Sequence, residues 1–129
     1  FDPRWMKENF PNKTWRGPNL AAVFGMQNAA EADLLNPPPE KAKLMEENAP
    51  VNYLTADAPP VFLTYPGENL SRRPSTDIGM IDFGLVLKEK MDALKVECQI
   101  AAGWPAKPEC TGPDKTDVEF LLRHFGMKP

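Results

Sequence analysis

The side chains that we consider for proton-transfer chemistry fall in the second half of this sequence. His124 is the one histidine. Three carboxylates, Glu68, Asp77 and Asp82, follow closely on one apolar segment, residues 61–65. The apolar segment reads as a buried strand, and the loop at the C-terminal end of such a strand is where α/β enzymes hold their functional residues. The question is whether this loop carries any chemistry.

No metal, phosphate or redox site is predicted. One histidine and two distant cysteines, Cys98 and Cys110, give no convergent set of metal ligands. Neither a phosphate-binding loop nor a dinucleotide fingerprint occurs, so no cofactor is predicted. We expect both thiols to be free, because Cys98 falls in a segment that reads as a buried strand; a disulfide between them is the alternative.

Two further groups of residues have both a functional and a structural interpretation. Arg72 and Arg73, in the loop that holds Asp77, could meet an anionic ligand or a carboxylate, but a solvated loop is the default for such a pair. Several aromatic residues could line a ligand pocket under a cap. Packing in the core or against another subunit explains them equally well. These residues are Trp5, Trp15, Trp104, Phe1, Phe10 and Phe24.

Composition places the chain among ordinary globular proteins. Of its 129 residues, 42% are hydrophobic and 26% are charged, and the net charge is −3. Lysine and arginine are scattered, so we predict neither a nucleic-acid partner nor a membrane-binding face. No apolar run approaches the roughly 20 residues of a membrane-spanning helix. We therefore expect a soluble protein, either cytoplasmic or secreted with its N-terminal region missing, and the sequence does not decide its compartment.

The elements that would position an acid and a base lie between residues 55 and 129. The segment "PVFLTYP" is apolar on both faces and predicts a central parallel strand. Residues 80–95 predict an amphipathic helix, and "VECQIAA" predicts a second strand. Strand, helix and strand together form a βαβ unit with parallel strands. The apolar stripe of the helix consists of Phe83, Val86, Leu87, Met91 and Leu94.

A terminal helix is predicted over "TDVEFLLRHFG". Thr116 and Glu119 have the spacing of a capping box, and Gly126 is suited to end the helix. His124 in its last turn reads as a cation that favours the helix dipole rather than as a catalytic base. The side chains predicted to pack inward are Phe120, Leu121 and Phe125.

The first half of the chain reads as mostly helical, with an irregular link before the first strand. A short helix is predicted from Pro3 to Asn9, with Asp2 as its N-cap. A second helix is predicted to begin at the N-cap Asn19 and to group Leu20, Val23 and Phe24 on one face. A third helix is predicted from Pro38 to Glu47, before an irregular link "VNYLTADAPP".

Two parallel strands cannot cover both faces and both edges of a sheet. Residues 1–54 offer no convincing further strand, so the unit should belong to a larger domain or pair with another polypeptide. We therefore predict a single partial domain over 1–129. Within it, 1–54 is a mostly helical or irregular cap-like segment and 55–129 a βαβα segment. Because Phe1 is preceded by no initiator Met and followed by no signal-peptide pattern, we expect a processed product or fragment.

Three stretches carry a resemblance to a known family. They are "APVNYLTADAPPVFLTYPGE", "FGLVLKEKMDALKVECQIAAG" and "DVEFLLRHFG". Their order and their sequences resemble the C-terminal half of an α/β-hydrolase of the esterase and lipase kind. In that family the first strand runs into the loop with the triad acid, and the second into a loop with the catalytic histidine. The resemblance implies an α/β fold with part of a hydrolase-like parallel sheet, preceded by a cap-like segment.

The triad that the resemblance implies is incomplete in this sequence. No G-x-S-x-G motif occurs, so the nucleophile elbow is missing. Alignment with the family's histidine loop places Ala106 where the histidine belongs, and alanine cannot carry a proton. Asp77 lies at the distance before the amphipathic helix at which the family has its acid. Its alternative interpretation is an exposed loop residue that caps a helix or turn.

The sequence therefore predicts a fragment or degenerate remnant of a hydrolase acting on carboxylic esters, inactive as an isolated chain. A small ester would be its substrate only if the missing half were supplied. The alternative is a non-catalytic binding or assembly module that pairs through its open sheet edge, with the missing hydrolase half or with a second copy. A third interpretation is a small independent α/β domain whose sequence is similar to that of the family by chance.

Overall fold

The computed structural model of the chain describes residues 2–28, 32–66, 69–71, 80–103 and 109–127. These residues group into two compact units. The first comprises residues 2–28 and 32–54, and the second comprises the described residues from 55 onward. The prediction of a single partial domain over 1–129 stays a prediction.

The first unit is helical. Its elements are helices α1 (Pro3–Asn9), α2 (Pro18–Val23) and α3 (Pro39–Glu47), and a 3₁₀ turn over Pro50–Tyr53. The turn occupies the start of the segment that we predicted to be irregular. Proline stands at the start of all four elements, where its missing N–H costs no helical hydrogen bond.

Helix α1 begins and ends where the sequence predicts. The Asp2 carboxylate accepts hydrogen bonds from the N–H groups of Arg4 at 2.9 Å and Trp5 at 3.3 Å. Asn52 donates to the other carboxylate oxygen at 2.7 Å, and this bond links the start of α1 to the 3₁₀ turn. Asp2 is therefore both the N-cap and a buried crosslink within this unit.

The core of the first unit contains Ala21, Leu34 and Met45, and the partly buried Trp15 and Phe24 pack against it. Phe10 is also buried. Core packing, rather than a ligand pocket, is thus the observed role of these aromatic side chains. Trp104 and Phe1 lie outside the described residues.

The prediction for α2 is wrong in two respects. The helix begins at Pro18 after Gly17, so Asn19 lies inside it and is not its N-cap. The side chain that it buries is Ala21, whereas Val23 is 77% exposed. Pro18 is preset for the first helical position, so the N-cap falls at Gly17, two residues before the predicted N-cap Asn19.

The second unit contains a small mixed sheet between two helices. Its elements are β1 (Val61–Tyr65), α4 (Met80–Ala93), β2 (Cys98–Ala102), β3 (Glu109–Cys110) and α5 (Asp117–His124). Strands β1 and β2 are parallel, in register from Val61 opposite Cys98 to Tyr65 opposite Ala102. The predicted βαβ unit with its terminal helix is therefore present. Strand β3, which pairs antiparallel with β2, was not predicted.

The two faces of this sheet meet different helices. Leu63, Tyr65, Ile100 and Ala102 lie on one face, in a cluster with Ile81 of α4. Alternate residues point to the opposite face, where the Phe62 ring lies 5.4 Å from the ring of Phe120 on α5. The unit is therefore layered, with α4 on one side of the sheet and α5 on the other.

The central strand of the described sheet is β2, not β1. Every residue of β2 is buried, whereas β1 is half-buried and pairs, among the described residues, with β2 alone. The prediction that β1 is a buried central strand is wrong at this point. Its continuous apolar run reflects contact with helices on both faces, which an edge strand shares with a central one.

The two long helices of this unit end in the same motif. At the end of α5, Gly126 has φ +67, and the N–H of Met127 donates to the Leu122 carbonyl at 2.8 Å. At the end of α4, Lys95 has φ +59, and the N–H of Val96 donates to the Met91 carbonyl at 2.9 Å. Both are Schellman motifs, and the predicted stop at Gly126 is confirmed.

The inward face of α5 is narrower than predicted. Phe120 is buried, but Leu121 is 49% and Phe125 is 70% exposed, so their predicted inward packing is wrong. The capping prediction holds in part. Thr116 accepts from the N–H of Glu119 at 3.1 Å, whereas the Glu119 carboxylate bonds to the N–H of Lys115 instead of that of Thr116.

Candidate functional site

The carboxyl ends of β1 and β2 form the edge at which the sequence places a candidate site. Because the two strands are parallel and in register, they end side by side at Tyr65 and Ala102. The N–H of Gly103 donates to the Tyr65 carbonyl at 3.3 Å and extends the pairing by one residue. Loops that follow neighbouring parallel strands are brought together at such an edge.

Tyr65 is supported from below by α4. A Cβ atom added at Gly84 would lie 2.5 Å from the Tyr65 hydroxyl oxygen and 2.6 Å from the ring. Glycine at this position therefore lets the tyrosine ring lie directly against the helix. The last residue of β1 is held in place by this contact and by its place in the cluster around Ile81, Ile100 and Ala102.

The segment after β1 is described in part. The Asn69 side chain accepts from the N–H of Ser71 at 2.9 Å, which forms a local turn. The Leu70 side chain packs against the same cluster as Tyr65, and its N–H donates to the Glu109 carboxylate at 3.2 Å. The segments that follow β1 and β2 are therefore in direct contact.

The predicted acid Asp77 lies outside the described residues, as do Glu68, Arg72 and Arg73. The remaining candidate acid, Asp82, lies in the first turn of α4 and is fully buried. A carboxylate in the first turn of a helix is favoured by the helix dipole. Asp82 is thus part of the helix and not of the loop in which a triad acid is expected.

The position at which the family has its histidine, Ala106, also lies outside the described residues. His124 lies at the other end of the sheet. Its Nε2 atom is 3.0 Å from Oε2 of Glu97, which directly precedes β2, and its ring lies against the Phe120 ring at a centroid distance of 4.4 Å, tilted by 55°. His124 is therefore separated from the carboxyl edge by the length of β2, in agreement with a structural role.

Charged side chains gather around this amino end of β2. Arg123 of α5 lies 2.5 Å from a Glu97 carboxylate oxygen and 2.6 Å from one of Asp114. Gln99 donates to Asp114 at 2.8 Å and accepts from the Asp114 N–H at 3.2 Å. We call Glu97, Gln99, Asp114, Arg123 and His124 the α5 polar cluster. Its members satisfy one another and hold α5 against the sheet.

The electrostatics of the α5 polar cluster follow from Arg123. Hydrogen bonds from its guanidinium lower the pKa of both the Glu97 and the Asp114 carboxyl groups. Bonds to Asp114 and then Glu97 raise the pKa of Arg123 itself. All of these groups are held in their charged forms, which suits an ion-pair network rather than a proton-transfer site.

The two thiols are free, as predicted. Cys98 is buried at the start of β2, and burial raises the pKa of its thiol to about 11. Such a thiol stays protonated and is a poor nucleophile. Cys110 is half-buried in β3, with its sulfur 3.9 Å from the Lys115 carbonyl oxygen.

One cavity lies on the α5 face of the sheet. It has a volume of about 250 Å³, and its walls are Phe62, Thr64, Ala101, Lys115, Thr116 and Asp117. Its walls thus include residues of both strands, and Thr64 and Ala101 are paired one residue before the carboxyl edge. Within the parts of the chain that the structure describes, no group of three or more His, Cys, Asp or Glu residues is placed to hold a metal ion. Nor does any helix there have the length and apolar character to cross a membrane.

Sequence reasoning missed Glu109 and strand β3. A two-residue strand carries no periodicity, and the only local signal is the turn pair Gly112-Pro113 that follows it. Comparison of the chain with known protein families, with characterised proteins and with solved structures gives no match. The hydrolase resemblance therefore stays a prediction.

Proposed function

We propose that this chain is the acid-loop and histidine-loop half of an α/β-hydrolase-like carboxylic ester hydrolase, and that it hydrolyses no ester on its own. The observation that carries the proposal is the joined carboxyl edge. Tyr65 and Ala102 end side by side, and the segments after them meet at Leu70 and Glu109. An acid on the first segment and a base on the second would be neighbours in such an arrangement.

The order of the other elements supports the same proposal. A parallel βαβ crossover followed by a terminal helix, as in β1, α4, β2 and α5, is the order that the resemblance implies. The proposed lack of activity rests on two features of the given sequence. It contains no G-x-S-x-G, and the resemblance places Ala106 at the position of the base. Because a triad acts as a unit, loss of the nucleophile or the base removes nearly all of its rate enhancement.

Ester hydrolysis by the purified chain tests the inactivity. With a short-chain p-nitrophenyl ester, we expect the same rate for the wild type and for Asp77→Ala, with neither above a non-enzymatic protein control. A fluorophosphonate probe should leave Ser71 unlabelled. Turnover that Asp77→Ala abolishes, or stoichiometric labelling of a serine, would show that a working triad exists.

The hydrolase relationship needs a separate test. We expect the coding DNA on the 5′ side of the Phe1 codon to encode, in frame, a strand followed by G-x-S-x-G. A polypeptide with that segment should then bind the chain and complete its sheet. A stop codon or an unrelated reading frame immediately upstream would contradict the proposal without affecting the inactivity of the isolated chain.

A second candidate function is a non-catalytic assembly module, and the edge position of β1 favours it. Val61 bonds toward β2 through its N–H and Tyr65 through its carbonyl. In a parallel ladder the alternate residues, Phe62 and Thr64, then direct their N–H and carbonyl groups away from β2. No strand among the described residues pairs with this row, and such a row can pair with a strand of another chain.

Light scattering over a range of protein concentrations tests this candidate. We expect a dimer or larger species if the β1 edge is used, and Thr64→Pro should dissociate it. Proline removes only an outward N–H at this position, so the fold should survive. Leu63→Pro is the matched control, because it removes an N–H that faces β2 and should unfold the unit. A stable monomer at high concentration would exclude self-assembly through this edge.

A further inference from the structure

The segments after β1 and β2 are joined by one charged side chain. Glu109 opens β3, and its backbone is fixed by pairing with Ala102 of β2. From that fixed position its carboxylate accepts the N–H of Leu70, which lies 39 residues earlier in the sequence. A bond between a side chain on a strand and the backbone of a distant segment constrains that segment in direction as well as in distance.

Among the described residues, two other contacts of residues 69–71 can be compared with the bond to Glu109, and neither fixes the direction of the turn relative to the sheet. The bond from the Ser71 N–H to the Asn69 side chain is local, so it shapes the turn without placing it. The apolar contact of Leu70 with the Ile100 cluster favours burial but specifies no direction. Glu109 is, among these contacts, the one that relates the turn to the sheet by a directed bond.

We propose that Glu109 is a tether that fixes the turn at residues 69–71 against β3 and so sets the separation of the two segments at the carboxyl edge. The use of this tether in a hydrolase site rests on the proposed function. The tether itself does not, because it depends only on the bond between Glu109 and Leu70.

Amide hydrogen exchange followed by NMR tests the tether residue by residue. In Glu109→Ala, we expect the exchange rate of the Leu70 amide to rise by about fivefold to tenfold, the equivalent of one lost hydrogen bond. Glu109→Gln keeps an acceptor at the same place and should show a smaller rise. The Ser71 amide, whose acceptor is Asn69, should change little in either variant.

Asn69→Ala is the matched control, since it should raise the exchange of Ser71 and leave Leu70 protected. An unchanged Leu70 rate in Glu109→Ala would overturn the proposal. So would a uniform rise at all amides in both Glu109 variants, since that indicates a general loss of stability. Ester hydrolysis and the upstream sequence do not enter this measurement, so the proposed function can fail while the tether is upheld, or the reverse.

Discussion

The two faces of the sheet in the second unit are held by different forces. On the α4 face Ile100 and Ile81 are fully buried, and Gly84 gives Tyr65 room to lie on the helix. A polar contact is also present there, since Lys88 of α4 donates to the Cys98 carbonyl of β2 at 2.9 Å. On the α5 face the described apolar contact is mainly that of Phe120 with Phe62. The remainder is a cavity of about 250 Å³ and the α5 polar cluster.

This difference teaches what each face can tolerate. Burial of apolar surface depends little on pH or salt, and it is lost in proportion to the volume removed. An ion-pair network fixes a helix by directed bonds, but it depends on the charge of every member. The α4 face should therefore respond to changes in side-chain volume, and the α5 face to changes in charge.

Ile100→Ala should have the largest effect. It removes a fully buried side chain at the centre of the α4 face, and such truncations cost about 2–5 kcal/mol of the free energy of unfolding. Urea denaturation followed by circular dichroism measures the loss. Ile100→Val is the control, at about 0.5–1.5 kcal/mol. A loss from Ile100→Ala no larger than that from Ile100→Val would mean that the α4 face is loosely packed.

Gly84→Ala should rank second. The added methyl group would overlap the Tyr65 ring, and overpacking of this kind costs about 1–3 kcal/mol. In the Tyr65→Ala background the same change should cost far less, because the ring that it meets is gone. Denaturation of the four proteins of this double-mutant cycle gives the coupling. Equal costs in both backgrounds would show that Tyr65 does not lie on Gly84.

Arg123→Ala should have a smaller effect, confined to the α5 face. It removes the donor shared by Glu97 and Asp114, and we expect the melting temperature at pH 7 to fall by a few degrees. Arg123→Lys keeps the charge, but lysine lacks the planar guanidinium that bonds both carboxylates. Its melting temperature should therefore fall between those of the wild type and Arg123→Ala. Thermal melts in high salt should reduce the difference between wild type and variant.

The same cluster gives a pH dependence with a definite sign. Arg123 lowers the pKa of Glu97 and Asp114 in the folded chain, so the unfolded chain binds protons first as the pH falls. Their contribution is complete above the ordinary values of 4.5 and 3.8 and is lost as the pH falls through the lower folded values. The melting temperatures of wild type and Arg123→Ala should therefore converge as the pH falls below those ordinary values. A difference that stays constant through this acid range would contradict an ionic origin.

The sequence was sufficient to predict the elements that are defined by helix-capping residues and by hydrophobic periodicity. Pro3 with its N-cap Asp2 fixed α1, the stripe through Val86 and Met91 fixed α4, and Gly126 fixed the end of α5. These signals are local, since each depends on residues within a turn or two of one another. The parallel pairing of β1 with β2 followed from the predicted crossover helix between them.

What could not be predicted depends on contacts between residues distant in sequence. The β1 run is equally apolar in an edge strand and a central strand, and its position was decided by β3, which is too short to show a period. Leu121 and Phe125 are apolar but lie on the outward face of α5, so their residue types led to the wrong prediction that they pack in the core. At the candidate site, the link from Glu109 to Leu70 is a tertiary contact with no sequence signature.

Lys95→Gly should have the smallest effect and the opposite sign. Lys95 ends α4 with φ +59, a conformation that costs a residue with a Cβ atom about 1 kcal/mol relative to glycine. Glycine should therefore stabilise the chain by about 1 kcal/mol, less whatever glycine gains in freedom when unfolded. Gly126→Ala is the reverse substitution at the same position of the same motif on α5, and it should destabilise the chain. Nothing lies within 4 Å of the added methyl group, so its cost is backbone strain alone.

If the two changes move the free energy of unfolding in opposite directions by similar amounts, the helix ends are equivalent, and the contrast between α4 and α5 lies wholly in the residues that their faces contact. A null effect of Lys95→Gly would instead mean that the end of α4 frays and that its hold on the sheet comes from the middle of the helix.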